Sequence, residues 1–266
     1  MSIGNVASLQ EMHKELRYLL GNYGIPCDCM PSGLVNAEIA VVGEAPGPKE
    51  KQMNLPMSGG SGRVLFDALR NPGITRHQIY ITNAVKRMML SASSGQNEKS
   101  AIGKPELEHW KTILHQEISA LPNCRYIVAL GNRAMEALTG ETGITNWRGS
   151  VVDAEMGGKQ YKVLLTINPA MVFRDPKLEV LFKMDIAKLK RLLDSSFNRP
   201  MFRELINPTF KEATEFLDHT HTLGKSGNFV SIDIESMENE TACVGFAPTA
   251  DEAMCINFRN RTENVF

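Results

Sequence analysis

A carboxylate and a set of glycines follow the first strongly apolar segment of the chain. Glu44 comes directly after Val41-Val42-Gly43, and Ala45-Pro46-Gly47 continues into a tight turn; Gly59-Gly60-Ser61-Gly62 then precedes the next apolar segment. A strand, a glycine-rich turn and a helix start can bring backbone N–H groups up to a phosphate or a polar base edge. Open α/β sheets bind ligands at the carboxyl ends of their strands. The segment therefore predicts a ligand site with one acid, although the same glycines are also typical of a plain strand-to-helix connection.

Residue spacing argues against two common kinds of site. Residues 59–62 have no Gly-Lys-Ser/Thr ending, so the lysine of a nucleotide P-loop is missing. Cys27-Asp28-Cys29 places one residue between two thiols, instead of the roughly two to four of most metal sites. No second cysteine pair or histidine cluster completes four ligands. The cysteines are too scattered for a disulfide framework and predict reduced thiols; they are Cys27, Cys29, Cys124, Cys243 and Cys255.

Apolar strands and amphipathic helices alternate through the first two thirds of the chain. The alternation predicts an α/β fold of three layers, with a mostly parallel central sheet covered by helices on both faces. Residues 91–104 lack apolar periodicity and predict a mobile loop. The predicted strands span residues 37–43, 79–86, 126–131, 150–152 and 161–166, and the predicted helices span residues 8–20, 62–70, 106–121, 132–139 and 177–193.

The pattern changes after residue 195. Residues 196–228 predict a linker with a short helix, and residues 229–266 predict a separate β-meander. Its three strands are expected at residues 229–235, 242–246 and 253–258, the first of them buried. We therefore divide the chain into residues 1–195, a linker over 196–228, and an incomplete domain from residue 229.

Composition gives little sign of the binding partner. The chain has 266 residues, a formal net charge of −1 and a calculated pI near 6.6. Neither a secretory signal nor an apolar run of the roughly 20 residues that span a bilayer is present, which predicts a cytoplasmic protein without membrane contact. Contact with nucleic acid would need local basic patches. Candidates are Lys86-Arg87 and a second run that also fits a solvated helix face: Arg174, Lys177, Lys183, Lys188, Lys190 and Arg191.

Four segments at predicted strand ends occur in one order along the chain. Together they resemble the uracil-DNA glycosylase superfamily, most closely its iron–sulfur-containing family 4, over about residues 35–192. The resemblance implies a glycosylase-like fold with DNA as partner. It implies hydrolysis of the N-glycosyl bond of uracil in DNA or, as the alternative, a catalytically inactive DNA-binding or scaffolding module. The segments are Gly43-Glu44-Ala45-Pro46-Gly47, Thr82-Asn83-Ala84-Val85-Lys86, Leu130-Gly131-Asn132-Arg133-Ala134 and the run from Thr166 through Asn168-Pro169-Ala170 to Arg174.

The resemblance implies a role for each matched position. Glu44, between the substrate-binding Gly43 and Ala45, matches the carboxylate that orients a water or stabilises positive charge on the sugar. Asn83 matches the amide that reads the flipped base, because one amide offers both a donor and an acceptor. Met57 stands where the family has a phenylalanine that stacks on the base.

The fourth segment departs from family 4 at its first polar residue. Asn168 stands where family 4 usually has a histidine that hydrogen-bonds the departing base, and a mismatch-specific branch of the superfamily uses Asn-Pro here. We therefore keep Asn168 as the second catalytic candidate. The resemblance places Pro169 and the following residues in the loop that enters the minor groove, with Arg174 near a phosphate.

Two of the four cluster-binding cysteines of family 4 are replaced in this chain. Cys27 and Cys29 lie near the first pair's place with altered spacing, while Arg87 and Trp110 occupy the third and fourth positions. We therefore expect neither an iron–sulfur cluster nor any other cofactor in this domain.

The C-terminal segment carries a second resemblance. Asp233-Ile234-Glu235, with Cys243-Val244-Gly245-Phe246-Ala247 downstream, resembles the first motif of the 3′–5′ exonuclease domain of family A DNA polymerases. Two acids separated by one residue point the same way from a strand and suit a divalent metal, Mg²⁺ in a complete domain. The resemblance implies the N-terminal part of a bacteriophage polymerase in the host cytoplasm, with its remaining exonuclease and polymerase domains as partners. An RNase H-like exonuclease, truncated here, would then follow the glycosylase-like domain.

Overall fold

The computed structural model describes residues 3–88, 104–194 and 203–258, except residues 226, 228, 238, 239 and 250. The chain divides into two compact units, Met1–Phe197 and Asn198–Phe266. The loop predicted at residues 91–104 lies outside the described residues except for Lys104, which begins a helix. Among the described residues, no helix is both long and apolar enough to cross a membrane.

The first unit contains a six-stranded sheet with the order β1-β3-β2-β4-β6-β5. The four central strands run parallel, and β1 and β5 pair antiparallel at the two edges. This confirms the prediction of a mixed α/β fold around a mostly parallel sheet. The strands are β1 (Ser32–Gly33), β2 (Ile39–Gly43), β3 (Ile79–Asn83), β4 (Tyr126–Leu130), β5 (Val151–Met156) and β6 (Lys159–Thr166).

Eight α-helices are described in this unit, together with a single 3₁₀ turn at Arg76–Gln78. The sequence pattern does not predict the short helices α2, α6 and α7, which are too brief to show a full apolar period. The helices are α1 (Leu9–Tyr23), α2 (Pro48–Met53), α3 (Gly60–Leu69), α4 (Lys104–Ser119), α5 (Asn132–Thr139), α6 (Ile144–Trp147), α7 (Ala170–Arg174) and α8 (Leu178–Leu193).

Alternate residues of the central strands enter two separate hydrophobic cores. On one face Val42 and Ala129 pack with side chains of α1, α4 and α5, whereas on the other face Val41 and Val128 pack with side chains of α3 and α8. Since successive strand side chains point to opposite faces, continuous apolar strands produce this double core. The buried sheet provides a rigid support for the residues that follow the strand ends.

The second unit contains a four-stranded sheet with the order β7-β10-β9-β8. Its elements are β7 (Arg203–Ile206), α9 (Phe210–Lys225), β8 (Ser231–Met237), β9 (Glu240–Ala247) and β10 (Glu252–Asn257). The last three strands form an antiparallel meander, and β7 pairs parallel to β10.

Two features of the second unit differ from the sequence-based expectations. Residues 203–225, expected as part of a linker with a short helix, form β7 and a 16-residue helix. Phe216 of that helix is buried against Met254 and Ile256 of β10. The first meander strand, expected to be buried, is an edge strand, and Ile232 and Ile234 are more than half exposed. Because α9 packs on β10, it does not cover β8.

Candidate functional site

The first two site segments meet where β2 and β3 end. Gly43 and Asn83 are register partners in the parallel pair. Beyond them, Ala84 N–H donates to Gly43 O at 2.7 Å and Val85 N–H donates to Glu44 O at 2.9 Å. These bonds fix the backbone on both sides of Glu44 and Asn83, so the two side chains project from a rigid edge.

Both oxygens of the Glu44 carboxylate accept hydrogen bonds. Arg133 N–H donates to Oε1 at 3.1 Å, and Asn168 Nδ2 donates to Oε2 at 2.5 Å. Arg133 is the second residue of α5, so the carboxylate lies at the positive end of the helix dipole. Gly131, with φ +95°, permits this approach because a β-carbon there would lie 2.6 Å from the Glu44 carboxyl carbon. Sequence analysis named the segment that contains Gly131 and Arg133 but gave neither residue a role.

A second hydrogen bond fixes the orientation of the Asn168 amide. Ala170 N–H donates to its Oδ1 at 2.9 Å, which directs Nδ2 toward Glu44. An amide nitrogen carries two hydrogens. One of them is used by Glu44, and the other remains for an acceptor such as a carbonyl oxygen of a bound base. The structure thus brings together the two residues predicted to be catalytic.

Asn83, Met57 and Gly43 form a small buried group beside Glu44. Asn83 is 2% exposed, and its Oδ1 has no hydrogen-bond partner among the residues that the structure describes. A β-carbon on Gly43 would lie 2.3 Å from Asn83 Oδ1 and 2.7 Å from Met57 Cε. Because buried polar atoms are nearly always hydrogen-bonded, the Asn83 oxygen marks a place for a missing donor.

The Met57 backbone is held in a left-handed conformation with φ +54°. Its N–H donates to the Glu50 carboxylate, and its carbonyl accepts from Arg76 Nη1 at 3.2 Å. Glu50 also accepts from Gly47 N–H at 2.6 Å, and burial raises the pKa of its carboxyl. Sequence analysis missed Glu50 and Arg76 because both lie outside the strand-end motifs.

The other predicted residues lie at different depths around this strand edge. Ala45 is half-buried against the core beneath α1, α4 and α5, and Pro169 is buried. Arg174 is exposed at the end of α7, beside Phe173, whose side chain is 60% exposed. This short helix therefore presents an aromatic side chain and a cation to solvent.

Asp233 and Glu235 belong to the second unit, whereas the residues described above belong to the first. They alternate with isoleucines along β8 and are exposed. In the described part of the chain, no group of three or more His, Cys, Asp or Glu side chains is arranged to hold a metal ion.

The structure contradicts one predicted DNA-contacting patch. In the other, some of the basic residues are paired and the rest are exposed. Lys86 is fully buried, and Arg87 makes two hydrogen bonds to Glu106, so these residues are not a free basic patch. In the second run, Lys183 pairs with two acids and Lys188 donates to a backbone carbonyl. Its remaining members are exposed but are spread from the end of α7 to the last turn of α8, a helix in which each residue adds about 1.5 Å. They are Arg174, Lys177, Lys190 and Arg191.

The residues at the implied iron–sulfur positions do not fit a cluster. The Arg87 guanidinium donates to both Glu106 oxygens at 3.0 and 2.9 Å, and Trp110 Nε1 donates to Glu106 at 3.1 Å. Two of the four positions therefore hold a cationic or an indole side chain, neither of which ligates iron.

Comparison with known proteins gives a consistent set of similarities. The family model described as the uracil DNA glycosylase superfamily matches residues 30–191. A type-4 uracil-DNA glycosylase of Pyrobaculum aerophilum is 31% identical over 174 residues, covering 62% of this chain and 85% of that protein. Type-4 uracil-DNA glycosylases of Archaeoglobus fulgidus and Thermotoga maritima are 31% and 32% identical over 166 residues. These alignments each cover 60% of this chain and cover 79% and 80% of the respective relatives.

Proposed function

Because the chain belongs to the uracil-DNA glycosylase superfamily, we propose that its first unit hydrolyses the N-glycosyl bond of uracil in DNA. The type-4 relatives make it a candidate uracil-DNA glycosylase, a hydrolase of N-glycosyl bonds. The Glu44–Asn168 hydrogen bond beside buried Asn83 carries the proposal, since it unites an acid, a donor and a base-reading amide.

Glu44 acts on the sugar side of the scissile bond. The C1′–N1 bond breaks with its electron pair passing to the base, a water oxygen forms the new bond to C1′, and the proton that this water releases neutralises the departing base. Each carboxylate oxygen has two lone pairs, so Glu44 can orient this water while it accepts from Arg133 and Asn168. Its negative charge also stabilises the positive charge that develops on the sugar.

Asn168 and Asn83 act on the base. The second Asn168 amide hydrogen donates to a uracil carbonyl oxygen as negative charge develops on the leaving base. The buried Asn83 oxygen accepts from uracil N3–H, and the Asn83 amide nitrogen donates to O4. Met57 covers the flipped base with an apolar, flexible side chain.

The remaining predicted residues contact DNA or shape the pocket. Gly43 and Ala45 line the base pocket beside Glu44, and Pro169 begins the loop that enters the minor groove. Arg174, exposed at the end of this loop, contacts a backbone phosphate.

The test is base release from single- and double-stranded oligonucleotides that carry one uracil, followed by alkali and gel analysis. Thymine-containing oligonucleotides provide the control. Strand cleavage specific to uracil supports the enzyme. DNA binding without base release would contradict it and favour a non-catalytic DNA-binding module. The absence of binding even at low salt, where phosphate contacts are strongest, would contradict both functions.

We also propose a polymerase context for the second unit. In this proposal the second unit contains the start of a 3′–5′ exonuclease domain of a bacteriophage family A DNA polymerase, whose further domains are partners of the first unit. Asp233 and Glu235, exposed on one face of β8, support this proposal and would hold Mg²⁺ only in a complete domain. Antibody against this chain should detect a native polypeptide much larger than 29.5 kDa. A single native product of that mass would contradict the proposal.

A further inference from the structure

Three polar side chains form a fully buried group behind Asn83. Lys86, Glu117 and Tyr80 are each 0% exposed. Lys86 Nζ lies 2.5 Å from Glu117 Oε2, and the Tyr80 hydroxyl donates to Glu117 Oε1 at 2.8 Å. Tyr80 is on β3 and Glu117 is on α4, so the group links the sheet to the helix that covers it.

The ammonium group has a second partner at the site itself. Lys86 Nζ donates to the backbone carbonyl of Asn83 at 3.1 Å. Asn83 is the last residue of β3, where the regular strand pairing ends. Buried backbone carbonyls require donors, and the lysine side chain supplies one here. The Lys86 carbonyl in turn accepts from Asp28 N–H at 2.8 Å and Cys29 N–H at 3.2 Å, which fixes the other end of the turn.

A buried ion pair is weak evidence for stability, because apolar residues of similar volume often stabilise a core equally well. The pair nevertheless holds Lys86 Nζ and Glu117 Oε2 in a defined geometry. The Asn83 backbone sets where its amide points, and that amide lies against Gly43 with an oxygen that no described residue hydrogen-bonds.

We propose that the Lys86–Glu117 pair is a positioning device for uracil recognition: Glu117 orients the Lys86 ammonium, which holds the Asn83 backbone so that its amide faces the base. This role rests on the proposed glycosylase function. Lys86 and Glu117 touch neither base nor sugar and act through Asn83. They are therefore determinants of base selection and not catalytic residues.

The test compares Lys86→Met with the double variant Lys86→Met/Glu117→Met. The single variant leaves a buried carboxylate without its cation and is expected to be unstable. The double variant removes both charges, so its thermal stability should exceed that of the single variant. Lys159→Met is the matched control, because Lys159 Nζ also donates to a backbone carbonyl, that of Ser119 at 2.7 Å.

Single-turnover release of uracil separates positioning from folding. The double variant should lose about 100-fold in rate, as expected for a small misplacement of a substrate-contacting group. Its DNA dissociation constant should stay within about threefold of wild type because the phosphate contacts are unchanged. Its preference for uracil over cytosine should fall. Recovery of the wild-type rate and preference in the folded double variant would overturn the proposal, since the pair would then be structural only.

A measurement that does not depend on enzyme activity tests the positioning role separately from the glycosylase function. The side-chain amide resonances of Asn83, assigned with Asn83→Ala, should shift in the double variant and stay in place in Lys159→Met. If wild-type protein releases no uracil, the glycosylase function fails and this spectrum alone decides the positioning claim. Unchanged Asn83 resonances in the double variant would overturn it.

Discussion

Asn168 Nδ2 donates a 2.5 Å hydrogen bond to Glu44 Oε2, although the two residues are 124 positions apart in the chain. The contact forms because β2 and β6 are both parallel neighbours of β4, which brings the segments after their carboxyl ends to one edge of the sheet. It links the group proposed to act on the sugar with the group proposed to act on the base.

Replacing Asn168 with Ala should slow uracil release by about 10²–10³-fold, the usual effect of removing one donor to developing negative charge. Single-turnover kinetics measure this change. Asn123→Ala is the control, because Asn123 is an exposed amide that donates to Asn36 O. If the rates of Asn168→Ala and Asn123→Ala agree within a few-fold, Asn168 is not a catalytic residue.

Gly43→Ala should abolish base selection. The new methyl group would displace Asn83 Oδ1 and Met57 Cε, which would lie 2.3 and 2.7 Å from it. We expect excision of uracil to fall by more than 100-fold, since displacement of about 1 Å can have that effect. The rates on uracil and cytosine substrates, measured together with thermal unfolding, provide the test.

Gly21→Ala provides the comparison for Gly43→Ala. Gly21 lies in α1, where a β-carbon would have no atom within 4 Å, and alanine favours the helix. This control should retain full excision and equal or higher stability. Full excision by Gly43→Ala itself would show that the pocket tolerates the methyl group and that the predicted clash is absent.

The hydrogen bonds that Glu106 accepts from Arg87 and Trp110 should stabilise the fold without a metal ion. Glu106→Gln should lower the free energy of unfolding by about 1.5–3 kcal/mol, the usual range for hydrogen bonds to charged groups. An iron chelator should leave that free energy unchanged. Glu38→Gln, which weakens an exposed pair with Arg125, should have a much smaller effect.

Urea titrations of these two variants, with and without chelator, measure both effects. A loss of stability on addition of the chelator would contradict the claim that side-chain hydrogen bonds, and not a metal ion, stabilise this part of the fold.

Alkaline pH should destabilise the fold through two buried thiols. Burial raises the pKa of Cys29 and of Cys124 from 9.0 to about 12. Between these values the unfolded chain loses a proton that the folded chain keeps. Their stabilising contribution is therefore complete below pH 9 and is lost as pH rises toward 12.

Urea unfolding at a series of pH values between 8 and about 10.5 measures this loss. Cys29→Ala/Cys124→Ala should show a shallower fall than wild type, because part of the proton linkage is gone. An equal slope in the two proteins would assign the alkaline loss to other groups, such as the buried Tyr80, whose pKa burial also raises.

Continuous apolar strands that end in polar residues made the main sheet, and the edge that carries the candidate site, predictable. Glu44, Asn83 and Asn168 each lie at or just beyond the carboxyl end of such a strand, so their convergence results from parallel pairing. The Lys86 side chain was less predictable. Next to Arg87 it resembled a basic surface patch, but its partner Glu117 lies on a distant helix that sequence spacing does not connect to it.

The second unit shows the same limit for local patterns. β7 is only four residues long, and its pairing partner β10 is almost fifty residues further along the chain, so nothing near residue 203 indicates a strand. The alternating isoleucines of β8 indicated burial, yet their environment depends on whether another element covers this edge strand.

Uracil release by Glu44→Gln is the most direct test of the central claim. Gln retains the size of the side chain but removes the charge that we propose acts on the sugar, so excision should fall by at least about 100-fold, with DNA affinity unchanged. Glu38→Gln, an exposed substitution, should retain the wild-type rate. Full excision activity in the Glu44→Gln protein would contradict the account.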